Sequence, residues 1–207
     1  MKGAGALCLF ALGAWACGRP EAPDAARGVT PSFDCASAEG EVEQLICATP
    51  ELAALDRTLD SVWSGGMDRM AAGGAPTADL DLVRAEQRGW IGGRNDCWKA
   101  EDVPGCTEEA YRERIAVVQA QFELAPGGEA SFWTCEGNPA NEFVVTFFDT
   151  DPRTARVERG DRQEVFVATR SASGARYLGS FGKEAWFKGE EAMFVWPQTD
   201  TLSCQAR

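Results

Sequence analysis

The sequence predicts an α+β protein in two domains, a small disulfide-linked helical bundle followed by a small antiparallel β-barrel. Three observations carry this. Apolar residues recur at helical spacing up to about residue 124 and alternate with period two after residue 131. Of the eight cysteines, Cys35, Cys47, Cys97 and Cys106 fall in the first stretch, and Cys135 and Cys204 bracket the second. Charge divides the same way: residues 33–124 carry 18 acids against 8 bases, net −10, whereas residues 131–207 carry 11 against 9, net −2.

The chain opens like an exported protein. Lys2 supplies a positive end, residues 4–16 are uncharged, and Ala14-Trp15-Ala16 has the small-x-small form of a cleavage site. Residues 1–16 are therefore expected to be a signal peptide. Cleavage there leaves Cys17 first, and a new N-terminal cysteine followed by Gly18 suits lipid attachment. Residues 17–32 hold Pro20, Pro23 and Pro31 among small and charged residues with no periodicity, the composition of a tether.

Residues 33–124 read as helices. Val42, Leu45 and Ile46 share one face of a short first helix. Thr49-Pro50-Glu51 is a start signal, with a cap, a proline at the first helical position and an acid in the first turn. Leu52, Leu55, Leu59 and Val62 follow at helical spacing, and residues 65–76, with four glycines, are expected to be a turn. Leu80, Val83, Gln87 and Trp90 trace the next helix, which should weaken at Gly92-Gly93. Tyr111, Ile115, Val118 and Phe122 stripe the last. Such stripes are most simply a bundle core, and no cofactor is expected.

Six cysteines in a mature exported chain imply three disulfides. A helix over residues 39–47 would hold Cys35 and Cys47 about 15 Å apart, beyond the reach of a disulfide. Cross-pairing as Cys47–Cys97 and Cys35–Cys106 is then favoured, with Cys135–Cys204 tying the first and last strands of the second domain.

Residues 125–130 (A-P-G-G-E-A) have linker composition. Beyond them, residues 143–148, 155–158, 164–169 and 192–196 read as strands, with turns at Asn138-Pro139, Asp151-Pro152 and Gly160-Asp161. Short strands so closely spaced suggest an antiparallel barrel spanning residues 131–207. Between two of them lies S-A-S-G-A-R-Y (171–177), read as a loop in which Ser173 offers a hydroxyl, Gly174 permits unusual backbone geometry and Tyr177 supplies an amphipathic ring. W-F-K-G-E-E-A (186–192) then places Lys188 at a short turn. Side by side, two such loops would present a hydroxyl and an ammonium together.

Both halves resemble known families. S-F-D-C (32–35), V-E-Q-L-I-C (42–47), P-E-L-A-A-L-D (50–56), E-Q-R-G-W (86–90), R-N-D-C (94–97) and C-x4-Y-R-E-R-I (106–115) resemble the LprI N-terminal-domain family of bacterial envelope proteins, which includes a lysozyme-inhibiting lipoprotein. The two loop motifs resemble the signatures of the bacterial inhibitors of c-type lysozyme, the MliC/PliC type. Phe187 stands where that family usually has Thr, and Ala185 where it has an aromatic. The resemblance implies a small β-barrel in which Ser173, Gly174, Tyr177 and Lys188 serve lysozyme inhibition.

Composition narrows the rest. There are no histidines, which removes Ser-His and Cys-His catalysis and most zinc sites. A net charge of −12 argues against a nucleic-acid partner and for a basic one. Adjacent acids such as Glu190-Glu191, Glu108-Glu109 and Asp79/Asp81 read as solvated faces, not a glycosidase pair, so no enzyme is expected. The expected protein is a periplasm-facing envelope lipoprotein of the outer membrane, held to the membrane by its lipid, with c-type lysozyme as partner. The alternative is a scaffolding lipoprotein whose helical domain binds another envelope component. Mass spectrometry of the native protein should find the N-terminus at Cys17 carrying lipid; an unmodified terminus at Cys17 or beyond would remove the anchor and leave export intact.

Overall fold

The computed structural model describes residues 28–196 and 201–207. The expected signal peptide, Cys17 and most of the expected tether lie outside the described residues. The first domain has four helices: α1 (Glu41–Ala48), α2 (Pro50–Ala72), α3 (Thr77–Asn95) and α4 (Val103–Gln121). Thr49 stands at the N-cap position of α2 without a side-chain cap bond, Pro50 opens the helix, and Asp102 caps α4 by accepting from Gly105 N at 3.0 Å. Val42, Ile46, Leu52, Leu59, Val83, Tyr111, Ile115, Val118 and Phe122 converge in one core.

Two glycine-based expectations are corrected. Residues 65–72 are not a turn, because α2 runs on to Ala72 and turns only after Gly73. Gly66 is needed there for packing. The Phe122 ring lies over it, so that a Cβ would meet Phe122 Cδ2 at 2.1 Å. Likewise α3 passes through Gly92 and Gly93 to Asn95, carrying Arg94 into the interior. There Arg94 Nη1 donates to the Tyr111 hydroxyl at 2.6 Å, and that hydroxyl donates to Asp56 Oδ1 at 2.8 Å. Ser32 N and Oγ close the network on Asp56 Oδ2 at 2.6 Å.

The disulfides of this domain are also corrected. They are Cys35–Cys47 and Cys97–Cys106, not Cys47–Cys97 and Cys35–Cys106. Helix α1 starts at Glu41, and the residues before it form a 3₁₀ turn at Cys35–Ser37 followed by extended backbone at Ala38 and Gly40. That segment runs back along the helix. From Glu41 to Cys47 the helix rises only about 9 Å, a distance five or six extended residues recover. Cys35 and Cys47 thus come to a Cα separation of 5.9 Å. Cys97 sits in the 3₁₀ turn after α3, and the short loop into α4 brings Cys106 to 5.7 Å from it.

The second domain is a closed, fully antiparallel barrel of eight strands in chain order. They are β1 (Ser131–Cys135), β2 (Asn138–Phe148), β3 (Thr154–Arg159), β4 (Arg162–Thr169), β5 (Ala175–Leu178), β6 (Glu184–Lys188), β7 (Glu191–Val195) and β8 (Leu202–Ala206). Strand β8 pairs with β1, where Cys135 lies opposite Cys204 and is bonded to it as expected. Turns fall at Asp151-Pro152 and Gly160-Asp161, but not at Asn138-Pro139. That reversal is made by Glu136 and Gly137, both at positive φ, and Pro139 lies in β2 where the register with β1 shifts. A proline is tolerated in a strand at such an irregularity because no ladder bond is required of it. The interior is aromatic: Phe143 stacks on Phe194 at 4.1 Å, and Phe187 meets Trp133, Phe147, Tyr177 and Phe194.

Helix α4 lies across β3 and β4. Glu123, just past its end, accepts from Arg156 Nη1 at 2.6 Å, and Arg112 reaches Asp151 at 3.6 Å. Adjacent glycines in α2 should respond to alanine with opposite sign. Gly65 has open space around it, and Gly65→Ala should stabilise by about 0.5–1 kcal/mol through helix propensity. Gly66→Ala should destabilise by about 1–3 kcal/mol through overpacking against Phe122. Denaturant unfolding of the two variants measures both.

Candidate functional site

Strand pairing decides where the two loop motifs meet. The first motif is loop only over residues 171–174; Ala175 to Tyr177 already belong to β5. Strand β5 pairs with β6, with Ala175 opposite Phe187, and β6 turns into β7 through Gly189 and Glu190. Ser173 and Gly174 on one connection, and Lys188 and Gly189 on the other, therefore stand at the same end of the barrel on neighbouring strands. Gly174 and Gly189 have φ of 71° and 65°, conformations that favour glycine.

The first loop is fastened to β6. The Ser173 carbonyl accepts from Trp186 Nε1 at 2.8 Å and from Ser171 Oγ at 2.7 Å. A Cβ on Gly174 would lie 2.3 Å from the Phe187 carbonyl oxygen, so the glycine is what allows the loop to lie so close. Two hydrogen bonds into one carbonyl leave the Ser173 side chain exposed at the rim. Lys188 is exposed at the end of β6, opposite Glu191, and forms no ion pair among the described residues. Beside it a shallow cavity of about 340 Å³ is lined by Trp186, Lys188, Glu191, Met193, Ser203 and Gln205. The arrangement offers a hydroxyl and an ammonium, both unencumbered, on a braced platform.

Tyr177 lies elsewhere. It points into the barrel, packs against Phe147 and Phe187, and is 6 % exposed. Burial pushes its phenol up from the ordinary value, and Arg153 offsets part of that. Its contribution is to hold β5 in place from inside.

Sequence reasoning missed the bracing role of Trp186. Strand alternation was the available signal: Ala185 and Phe187 face inward and Lys188 is exposed, so Trp186 is on the outer face with its indole N–H available to the adjacent loop. The same alternation explains the departures at 185 and 187. Both positions point into the core, so an aromatic at 187 with alanine at 185 relocates core volume and leaves Trp186 and Lys188 on the outside.

Two families match in chain order. Residues 34–120 match the family described as lysozyme inhibitor LprI, and residues 133–203 match membrane-bound lysozyme-inhibitor of c-type lysozyme, MliC. Lipoprotein LprI of Mycobacterium bovis and of two strains of Mycobacterium tuberculosis are each 30 % identical over 159 residues, covering 75 % of this chain and 74 % of theirs. The crystal structure of Pseudomonas aeruginosa MliC in complex with hen egg white lysozyme is 30 % identical, covering 40 % of this chain and 86 % of that one, with a TM-score of 0.34.

Gly174→Ala should lower barrel stability by about 1–2 kcal/mol from the left-handed backbone alone, and by more if Phe187 cannot yield. Ser171→Ala removes one of the two exposed bonds to the Ser173 carbonyl and should cost less than about 1 kcal/mol. Thermal unfolding monitored through the barrel aromatics compares them.

Proposed function

The chain belongs to the family of lipoprotein LprI, and from that membership we propose that it is a bacterial envelope protein that inhibits c-type lysozyme with the exposed end of its barrel. The observation that carries this is the convergence of Ser173 and Lys188 on neighbouring connections, within the segment that matches the MliC family. A c-type lysozyme works with two carboxyl groups in a cleft, one kept protonated and one ionised. An exposed ammonium suits the ionised group, and a hydroxyl, which both donates and accepts, suits either. The protein acts by occupying that cleft and carries out no reaction of its own. Membership in a lipoprotein family supports placement in the bacterial envelope, and lipid on Cys17 would hold it at the outer membrane, facing the periplasm.

Lys188→Ala should weaken inhibition of a c-type lysozyme tenfold to a thousandfold, since truncating one partner of a desolvated charge pair costs about 2–5 kcal/mol. Ser173→Ala removes one hydrogen bond to a charged or polar group, about 1.5–3 kcal/mol at most, and should have the smaller effect. Neither should shift the melting temperature appreciably, because both side chains are exposed. Inhibition constants for the two variants decide the matter. If both inhibit like the wild type, the inhibitory surface is not this end of the barrel.

A further inference from the structure

The helical domain holds a second concavity that the barrel's function does not use. It encloses about 440 Å³, within the range of small-ligand sites. Its floor is the buried Asp56–Tyr111–Arg94 network, in which both carboxylate oxygens of Asp56 are occupied. Arg94 also gives one N–H from Nε and one from Nη2 to Asn95 Oδ1. Bonds to Tyr111 and Asn95, with Asp56 at 3.9 Å, hold the guanidinium in place in this floor.

The walls are different. Trp63 and Trp90 line the cleft half-buried, each held edge-on by a core ring, Phe122 at 6.1 Å and Tyr111 at 5.5 Å. Neither indole N–H has an acceptor among the described residues. Gln87 Oε1 accepts from Arg114 Nε at 2.9 Å. A guanidinium only donates, so it fixes the amide with its oxygen toward Arg114 and its NH₂ away from it. Asp60, exposed on the same wall, has no donor among the described residues. The cleft thus combines two indole rings, two unpaired indole donors, an oriented amide and an open carboxylate.

This set discriminates between ligand classes. An anion would meet Asp60 and Glu43, and Arg94, the one cation that lines the cleft, already faces Asp56 at 3.9 Å. A cation would satisfy the carboxylates and leave the N–H donors unanswered. A purely apolar ligand would strand donors and acceptor alike, at the usual cost of unpaired polar groups. A saccharide suits this set: each hydroxyl both donates and accepts, and the partly positive C–H face of a pyranose suits the indole faces opposite those that Arg94 and Arg114 cover, over Trp90 at 5.6 Å and Trp63 at 5.9 Å. We propose that this cleft, built from Trp63, Trp90, Gln87 and Asp60, is a saccharide-binding site. It operates separately from the barrel, so that the chain carries a glycan-binding module beside its inhibitory one.

The test is an NMR titration of the full exported chain with a tetrasaccharide of β-1,4-linked N-acetylglucosamine. The six tryptophans that remain after loss of residues 1–16 give separate indole N–H resonances, and Trp63→Phe and Trp90→Phe assign the two that matter. Saturable shifts at these two, with half-saturation at or below about 1 mM, are expected. Asp60→Ala and Gln87→Ala, with unchanged melting curves, should each weaken binding at least threefold, and together at least tenfold. Lys188→Ala should lose lysozyme inhibition and keep the saccharide shifts, so failure of either activity is read apart from the other. No shift at Trp63 and Trp90, shifts confined to barrel indoles such as Trp186, or wild-type binding by the Asp60→Ala and Gln87→Ala double variant would overturn the assignment.

Discussion

Closure of the barrel is the constraint on which the candidate site depends. Strand β8 returns to β1 with Cys204 opposite Cys135, and the disulfide between them spans 69 residues of sequence. In the chain-entropy account a loop of that length contributes about 4 kcal/mol by restricting the unfolded chain. Closure also removes the exposed edges on which register could slip. In an up-and-down barrel successive connections alternate between the two ends. The β4–β5 and β6–β7 connections are two apart, so they share an end, and because β5 pairs with β6 they stand side by side. The meeting of Ser173 with Lys188 is thus a consequence of strand count and pairing. The Trp186 bond to the Ser173 carbonyl then refines a juxtaposition that topology has already made.

Helix α4 joins this platform to the bundle. Tyr111, Ile115 and Val118 on one side belong to the helical core, while Arg114, Val117 and Gln121 line a cleft against the barrel. The ion pairs across this junction are not what secures it. Asp151 is 91 % exposed, and a pair so open to water is worth little. The Glu123 carboxylate is held below the usual range by its hydrogen bond to Arg156, but it too is largely solvated. The contact of α4 along β3 and β4 is therefore the principal attachment. The Asp151 connection that Arg112 touches lies at the same barrel end as the Ser173 loop, so the middle of α4 reaches toward that end.

Much of this was legible in the sequence, and the failures have physical causes. Periodicity showed the helical and strand halves because burial on one face imposes it. The loop motifs marked Ser173 and Lys188 because each sits beside a glycine that only a turn requires. Gly65 and Gly66 misled because glycine serves both to turn a chain and to let a neighbour approach, and only the position of Phe122 tells which. The Cys35 and Cys47 pairing was hidden because it depends on the helix starting at Glu41 and on the chain doubling back before it. Tyr177 looked like a loop residue because β5, at four residues, is too short to display its alternation.

Charge acts on the proposed inhibition at two ranges with opposite demands. At separations approaching the Debye length, about 8 Å in physiological salt, the net −12 of the whole chain draws in a basic protein and raises the encounter rate. At contact the demand reverses, because the groups to be met in a lysozyme cleft are carboxyls, which an acidic surface would repel. A cation at the point of insertion resolves the conflict, provided no neighbour neutralises it. Lys188 meets that condition, standing exposed without an ion pair among the described residues. Arg176 does not meet it, because both of its hydrogen-bonding nitrogens are committed to the Glu184 carboxylate on the adjacent strand. Of the two cations on β5 and β6 nearest this end, only the one at the turn keeps its charge available to a partner, and the acidic body around it supplies attraction over distance without competing at the tip.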